Sequence, residues 1–146
     1  MIRKFQSTDT VQVMNIWLRG NEDAHSFIPK DYWKSNYSMV QEQLLQAEVY
    51  VHETEGTIQG FVGIQENYLA GIFVKKEVRS TGIGKQLLDY VKAIHPVLTL
   101  NVYQRNRRAV EFYKREGFSI TLEDIDPDTG EADYTMRWCG YYFTSS

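Results

Sequence analysis

A short loop with two glycines, directly before an amphipathic helix, is the first feature of this sequence that suggests chemistry. The loop runs from Arg79 to Lys85 and places Gly82 and Gly84 where the helical pattern begins. The first N–H groups of a helix lack partners within it, and the helix dipole adds positive charge at the same end. Glycines allow a ligand to approach this backbone closely. The loop is therefore typical of a site for phosphate or pyrophosphate.

Two well-known phosphate loops do not fit these residues. A Walker A motif would need glycine at Arg79 and serine or threonine at Gln86. A dinucleotide fingerprint starting at Gly82 would need its third glycine at Leu87, and the preceding strand does not open a βαβ nucleotide unit. The sequence therefore argues against a nucleotide-binding protein of either class.

The elements that position the loop belong to one domain, residues 1–146, which is long enough to bury a substantial core. Apolar spacing and turn residues predict the order β, α, α, three strands, α, β, α, β, β. This order indicates a mixed α/β fold with one parallel crossover around the helix that begins near Ile83. The predicted strands are 2–5, 49–54, 58–65, 68–74, 97–103, 118–122 and 134–138, and the predicted helices cover 11–18, 29–44, 83–94 and 106–117.

Two segments carry a resemblance to a known family. Residues 79–84 resemble motif A of the GNAT superfamily of N-acetyltransferases, Arg/Gln-x-x-Gly-x-Gly/Ala. Residues 106–118 match the family's Asn-x-x-Ala-x-x-Phe-Tyr-x-x-x-Gly-Phe motif at every defined position. The element order agrees with the family along nearly the whole chain, and the beginning, including residues 25–28, looks like small bacterial members of the YiaC and YjaB type.

The resemblance implies the GNAT fold and an acetyl-CoA-dependent N-acetyltransferase. The fold is a central, mostly antiparallel twisted sheet of about seven strands, with four helices and a splayed parallel strand pair. The pantetheine arm would lie between the splayed strands, and its pyrophosphate would lie on the glycine loop. The implied cofactor-binding residues are Ile72, Phe73, Val74, Arg79, Ser80, Thr81, Gly82, Ile83, Gly84, Lys85, Asn106 and Tyr113.

Acetylation by direct attack of an amine in a ternary complex requires a neutral nitrogen and a proton for the departing thiolate. A free alkyl amine has a pKa of about 10.4 and is mostly charged at pH 7, so a base or a desolvating site must help. The resemblance makes Tyr113 the candidate general acid, although a core aromatic is the other interpretation of this residue. For the base we rank Glu66 and His25 equally, and the acids at positions 22 and 23 also remain open.

The positive charge of the chain is concentrated in the segment that carries both motifs. Residues 75–115 hold ten basic and three acidic residues, whereas the rest holds six and sixteen, for a net charge of −3. A basic block in an acidic chain suits a phosphorylated cofactor better than nucleic acid. The acidic remainder favours a cationic amine acceptor, either a small molecule or a protein lysine.

Other features limit the partners and the location. The longest apolar runs are too short for a bilayer, no signal-peptide pattern opens the chain, and Cys139 is the single cysteine, so we expect a cytoplasmic protein without a membrane partner. No His/Cys cluster indicates a metal site. Both a monomer and a homodimer remain open. The alternative function is a non-catalytic acyl-CoA-binding or sensing module, which would need no proton donor at Tyr113.

Overall fold

Residues 1–140 are described by the computed structural model, and they form seven strands and five α-helices. The strands are β1 Ile2–Lys4, β2 Glu48–Thr54, β3 Thr57–Gln65, β4 Tyr68–Val74, β5 Val97–Tyr103, β6 Ser119–Ile125 and β7 Ala132–Cys139. The helices are α1 Thr10–Ala24, α2 Lys30–Ser35, α3 Tyr37–Leu44, α4 Ile83–Lys92 and α5 Arg107–Arg115. The mixed α/β class and the seven-stranded sheet expected from the sequence are confirmed.

The strands form one sheet in the order β1-β2-β3-β4-β5-β7-β6. Every neighbouring pair is antiparallel except β4 and β5, which are parallel and are connected through α4. Helices pack on both faces. One core layer joins α4 and α5 to the sheet through residues such as Leu87 and Leu100, and the other joins α1–α3 to it through Met14 and Val51.

The parallel strands β4 and β5 are paired only near the start of β4 and then diverge. Within residues 1–140 the two strands are in register at one position, Tyr68 opposite Thr99. On its other edge β4 pairs with β3, where Gly63 faces Gly71 but Ile64 faces Leu69. Ala70 is therefore an extra residue on β4, and such a bulge bends its strand. The bend follows the last β4–β5 pair and directs the two strands apart.

The expected number of helices was too low by one. The segment 29–44, predicted as one helix, is divided into α2 and α3 at Asn36. The Asn36 side chain donates to the carbonyl of Tyr32, and its backbone N–H bonds to the carbonyl of Trp33 in a tight turn. Asparagine competes in this way with the regular helical bonding, which explains why the apolar spacing continues through a break.

Replacing Gly60 with alanine tests the packing of β3 against β4. A Cβ at Gly60 would lie 2.7 Å from the backbone oxygen of Phe73, so one of the strands would have to move. A Cβ at Gly63, also buried on β3, would meet its nearest neighbour at 4.0 Å. We expect Gly60→Ala to lower the free energy of unfolding by about 1–3 kcal/mol relative to Gly63→Ala in urea titrations. Equal stabilities of the two variants would contradict this packing.

Candidate active site

The open strands border a cleft with two compartments. The first, called here the basic groove, has a volume of about 890 Å³ and is lined by the loop before α4 and the start of α5. The second, called the aromatic cavity, has a volume of about 400 Å³ and is lined by Tyr32, Trp33, Tyr68, Tyr103, Asp126 and Asp133, among others. Both compartments are lined by His25, Asn106 and Tyr113, so they meet at these side chains.

The loop between β4 and α4 presents free backbone N–H groups to the basic groove. Ser80 and Gly82 have φ angles of 66° and 92°, which turn the chain sharply before Ile83 begins the helix. Gly82 is the N-cap residue, and no side chain of residues 1–140 caps this end by a hydrogen bond. The unpaired N–H groups and the positive end of the helix dipole therefore face the groove, as in other anion sites.

Basic side chains surround this helix end. Six lysine or arginine residues line the groove, against Asp23 and Glu116 as its acids. Arg79 lies 3.5 Å from Asp23, and Arg108 donates to the hydroxyl of Ser80 over 3.1 Å. Since all the partners of Arg79 and Arg108 in these contacts are partly or fully exposed, an anion in the groove can replace them at little cost.

The free edge of β4 faces the gap left by β5. The N–H of Lys75 donates to Gln59 on β3, over 2.9 Å. Successive N–H groups along a strand point to opposite edges, so the N–H groups of Ile72 and Val74 point into the gap. An extended ligand can bind there as an added strand would.

Tyr113 is held at the junction by α5. Its side chain is buried beside Phe112 and Phe118 in the core that joins α5 to the sheet. Burial raises the pKa of its phenol well above the usual value of about 10, and Tyr68 adds to the shift. Tyr113 is therefore fully protonated at neutral pH and can act as a proton donor.

His25 and Asn106 form a hydrogen bond that links the end of α1 to the start of α5. The Oδ1 of Asn106 accepts from the N–H of Ala109 as a helix cap, so its Nδ2 faces the Nε2 of His25, 3.1 Å away. His25 Nε2 must then accept, which places the proton of the neutral ring on Nδ1. Burial lowers the pKa of His25 to about 4, so the ring is neutral at pH 7.

The aromatic cavity combines rings with two carboxylates. The hydroxyl of Tyr103 donates to Asp126 over 2.6 Å, and the hydroxyl of Tyr68 donates to Asn101 over 2.9 Å. Burial raises the pKa of Asp133, and the nearby carboxylates of Asp126 and Asp124 raise it further. No lysine or arginine of residues 1–140 lines this compartment, so its charge is opposite to that of the basic groove.

The structure brings together most of the residues that the sequence singled out. The basic groove is lined by Ile72, Phe73, Val74, Arg79, Ser80, Gly82, Ile83, Gly84, Lys85, Asn106 and Tyr113, and also by His25. Thr81 does not line it, because its hydroxyl bonds back to the carbonyl of Val78. Glu66 lines neither compartment, since it lies exposed in the turn between β3 and β4.

Sequence reasoning assigned no site role to three aromatic residues of the cavity, Trp17, Tyr32 and Tyr103. Tyr103 ends β5 beside the open edge, and Tyr32 lies on α2 near Asp128. The position of Tyr103 at the end of a strand bordering the cleft was the available signal. Tyr32 had no such signal, because α2 packs on α1 and its position depends on that tertiary contact.

Residues 1–140 contain neither a helix suited to cross a membrane nor a cluster of metal-ligating side chains. None of the helices combines the length and apolar character that a membrane crossing needs. No group of three or more histidine, cysteine, aspartate or glutamate side chains there is arranged to hold a metal ion.

Comparisons with known proteins agree with this geometry. The model of an acetyltransferase (GNAT) domain matches residues 46–120. The chain is 36% identical to the peptidyl-lysine N-acetyltransferase YiaC of Escherichia coli K12, covering 94% of this chain and 96% of that protein. The solution structure of apo-form YjaB from Escherichia coli has a TM-score of 0.84 at 26% identity, over 96% and 97% of the two chains. The structure of yncA from Salmonella typhimurium with its cofactor acetyl-CoA shares the fold, with a TM-score of 0.66 at 16% identity over 96% and 93%.

Acid should destabilise the protein through His25. Because its folded pKa of about 4 lies below the usual value of 6.5, only the unfolded chain takes up the proton as the pH falls from 6.5 to 4. The stabilisation that the neutral ring provides above pH 6.5 is lost in this window, up to about 3 kcal/mol. Urea titrations at pH 7 and 4.5 should therefore show a smaller loss for His25→Gln than for the wild type. Equal losses would contradict the burial of a neutral ring.

Proposed function

The chain belongs to the GNAT family of N-acetyltransferases, and we propose that it transfers the acetyl group of acetyl-CoA to the side-chain amine of a protein lysine. The observation that carries the proposal is the junction at Tyr113. A protonated phenol lies between a groove that suits a phosphorylated donor and a cavity that suits a cationic acceptor.

The residues of the basic groove fit acetyl-CoA. The uncapped N-terminus of α4 and the surrounding arginines suit the pyrophosphate, and the open edge of β4 offers the N–H of Val74 to a pantetheine amide. Asn106 lines both compartments and is oriented by its bond to His25, so its amide can contact the same arm.

Bound acetyl-CoA supplies a thioester whose carbonyl carbon is open to attack by an amine. The N–H of Ile72, which lines both compartments as Tyr113 does, is the candidate donor to the oxygen of this carbonyl, because it points into the gap. Tyr113 donates its phenolic proton to the departing sulfur. His25 contributes by orienting Asn106, since its Nε2 is already engaged there.

The size and charge of the aromatic cavity support a lysine acceptor. A cavity of about 400 Å³ admits a side chain but no folded domain, so the lysine would be presented on an exposed segment of its protein. The relatives YiaC and YjaB are both named peptidyl-lysine N-acetyltransferases. Thiol release measured with lysine-containing peptides and, in parallel, with small polyamines tests the acceptor class, and activity confined to the polyamines would overturn the lysine assignment.

Replacing Tyr113 with phenylalanine tests the proton donor. We expect kcat with a lysine peptide to fall about a hundredfold, because positioned acid catalysis contributes at least that much. The KM for acetyl-CoA should stay within twofold, since the ring still fills its place. Tyr90→Phe on α4, which lines neither compartment, is the matched control and should keep full activity. A fully active Tyr113→Phe enzyme, with chemistry still limiting the rate, would exclude this role.

Replacing Gly82 with alanine tests the phosphate loop. Gly82 and Gly56 both have left-handed backbone, with φ angles of 92° and 80°, so alanine at either costs about 1–2 kcal/mol of stability. Only Gly82 lies at the start of α4. We expect Gly82→Ala to raise the KM for acetyl-CoA about tenfold, which corresponds to about 1.4 kcal/mol, and Gly56→Ala to leave it unchanged. Equal KM values for acetyl-CoA in the two variants would show that acetyl-CoA does not bind at this loop.

A further inference from the structure

The aromatic cavity contains an unusual group of buried polar atoms. Four buried side-chain atoms of residues 1–140 have no hydrogen-bond partner, and three of them belong to residues that line this cavity. They are Nδ1 of His25, Nε1 of Trp33 and Oδ1 of Asp133. A buried polar atom without a partner is costly, so this concentration points to a ligand that supplies the missing partners.

The unpartnered atoms indicate which hydrogen-bonding groups the ligand must carry. The His25 ring has the backbone carbonyl of Asn21 nearby, but Trp33 Nε1 carries a hydrogen and needs an acceptor, and Asp133 Oδ1 needs a donor. A lysine within a peptide offers both, a backbone carbonyl and an ammonium group, while a polyamine offers donors alone. The cavity therefore fits a peptide lysine more completely than a free amine.

Charge identifies Asp133 as the partner of the ammonium group. Neither Asp133 nor Asp126 forms a salt bridge with any residue of 1–140. Asp126 already accepts hydrogen bonds from Tyr103 and from the N–H of Asp128, whereas Asp133 Oδ1 accepts none. Asp133 Oδ1 is therefore the carboxylate oxygen that remains available to a cationic group in the cavity.

The surrounding rings complete a site for a long cationic side chain. Tyr32, Trp33, Tyr68 and Tyr103 line the cavity and can pack against a methylene stem, and their faces attract a cation. The charges of Asp133 and Asp126 act on Tyr68, and Tyr68 in turn acts on Tyr113. Tyr68 therefore lies in the same cavity as both the carboxylates and the proton donor.

None of the four base candidates from the sequence fits this role: Glu22 lines neither compartment, and Asp23 lines the basic groove alone. Glu66 lies outside the cleft, and the lone pair of His25 Nε2 is engaged by Asn106. Asp133 lines the same cavity as Tyr113 and carries a free carboxylate oxygen.

On the basis of the proposed function, we propose that Asp133 binds the ammonium group of the acceptor lysine and takes its proton. One N–H bond of the ammonium breaks, its proton passes to Asp133 Oδ1, and the freed lone pair forms the new bond to the acetyl carbon. The C–S bond then breaks as Tyr113 gives its proton to the sulfur, and the second proton that the nitrogen loses on becoming the amide restores the phenol of Tyr113. Water then removes the proton from Asp133.

The test compares a lysine peptide with the same peptide carrying an aminooxy group in place of the amine. The aminooxy nucleophile is similar in shape but neutral at pH 7, so it needs neither a counter-charge nor a base. We expect Asp133→Asn to lower kcat/KM for the lysine peptide about a hundredfold and to change that for the aminooxy peptide by less than threefold. The KM for acetyl-CoA and the thermal midpoint should not change.

Asp124→Asn is the matched control, because this substitution removes the same charge. Asp124 faces Asp133 across β6–β7 and lines neither compartment. It should keep at least half of the wild-type kcat/KM with both peptides. An Asp133→Asn variant that loses both activities equally, or keeps the lysine activity, would overturn the role of Asp133 while the wild-type turnover leaves the proposed function intact. A wild-type protein that acetylates neither peptide would overturn the proposed function and this inference together.

Discussion

The opening between β4 and β5 is the constraint on which the rest of the structure depends. Buried backbone N–H and C=O groups need partners, and two adjacent parallel strands would normally supply them to each other. Here the extra residue Ala70 follows the last pair, Tyr68 with Thr99, and bends β4 away. The unpaired edge creates a cleft in an otherwise continuously paired sheet, and Tyr113 lines the two compartments beside it.

Local patterns in the sequence were sufficient for most of the fold. Strands such as β4 and β5 are apolar runs bounded by turn residues, and Leu87, Leu88 and Val91 repeat at helical spacing in α4. These strands and this helix could therefore be predicted. The break between α2 and α3 could not be predicted in the same way. It depends on the Asn36 side chain competing for the carbonyl of Tyr32, while the apolar spacing runs on without interruption.

The site was predictable only where it is continuous along the chain. The loop 79–85 and the segment 106–118 each carry a motif, and both line the cleft. The bond between His25 and Asn106 joins residues 81 positions apart, and no local pattern encodes such a contact. Glu66 shows the converse, because its place beside a strand end suggested a base, yet the turn that gives it a φ of 57° leaves it outside the cleft.

The division of charge across the cleft has a consequence for turnover. A net charge of −3 conceals a groove with six basic residues and a cavity with two carboxylates, which meet at the uncharged phenol of Tyr113. Acetylation converts a cationic amine into a neutral amide, so the carboxylates attract the substrate but have no charge to attract in the product. The basic groove still holds the anionic coenzyme after transfer. On this basis we expect the acetylated product to leave before the coenzyme, because only the coenzyme keeps its electrostatic attraction to the protein.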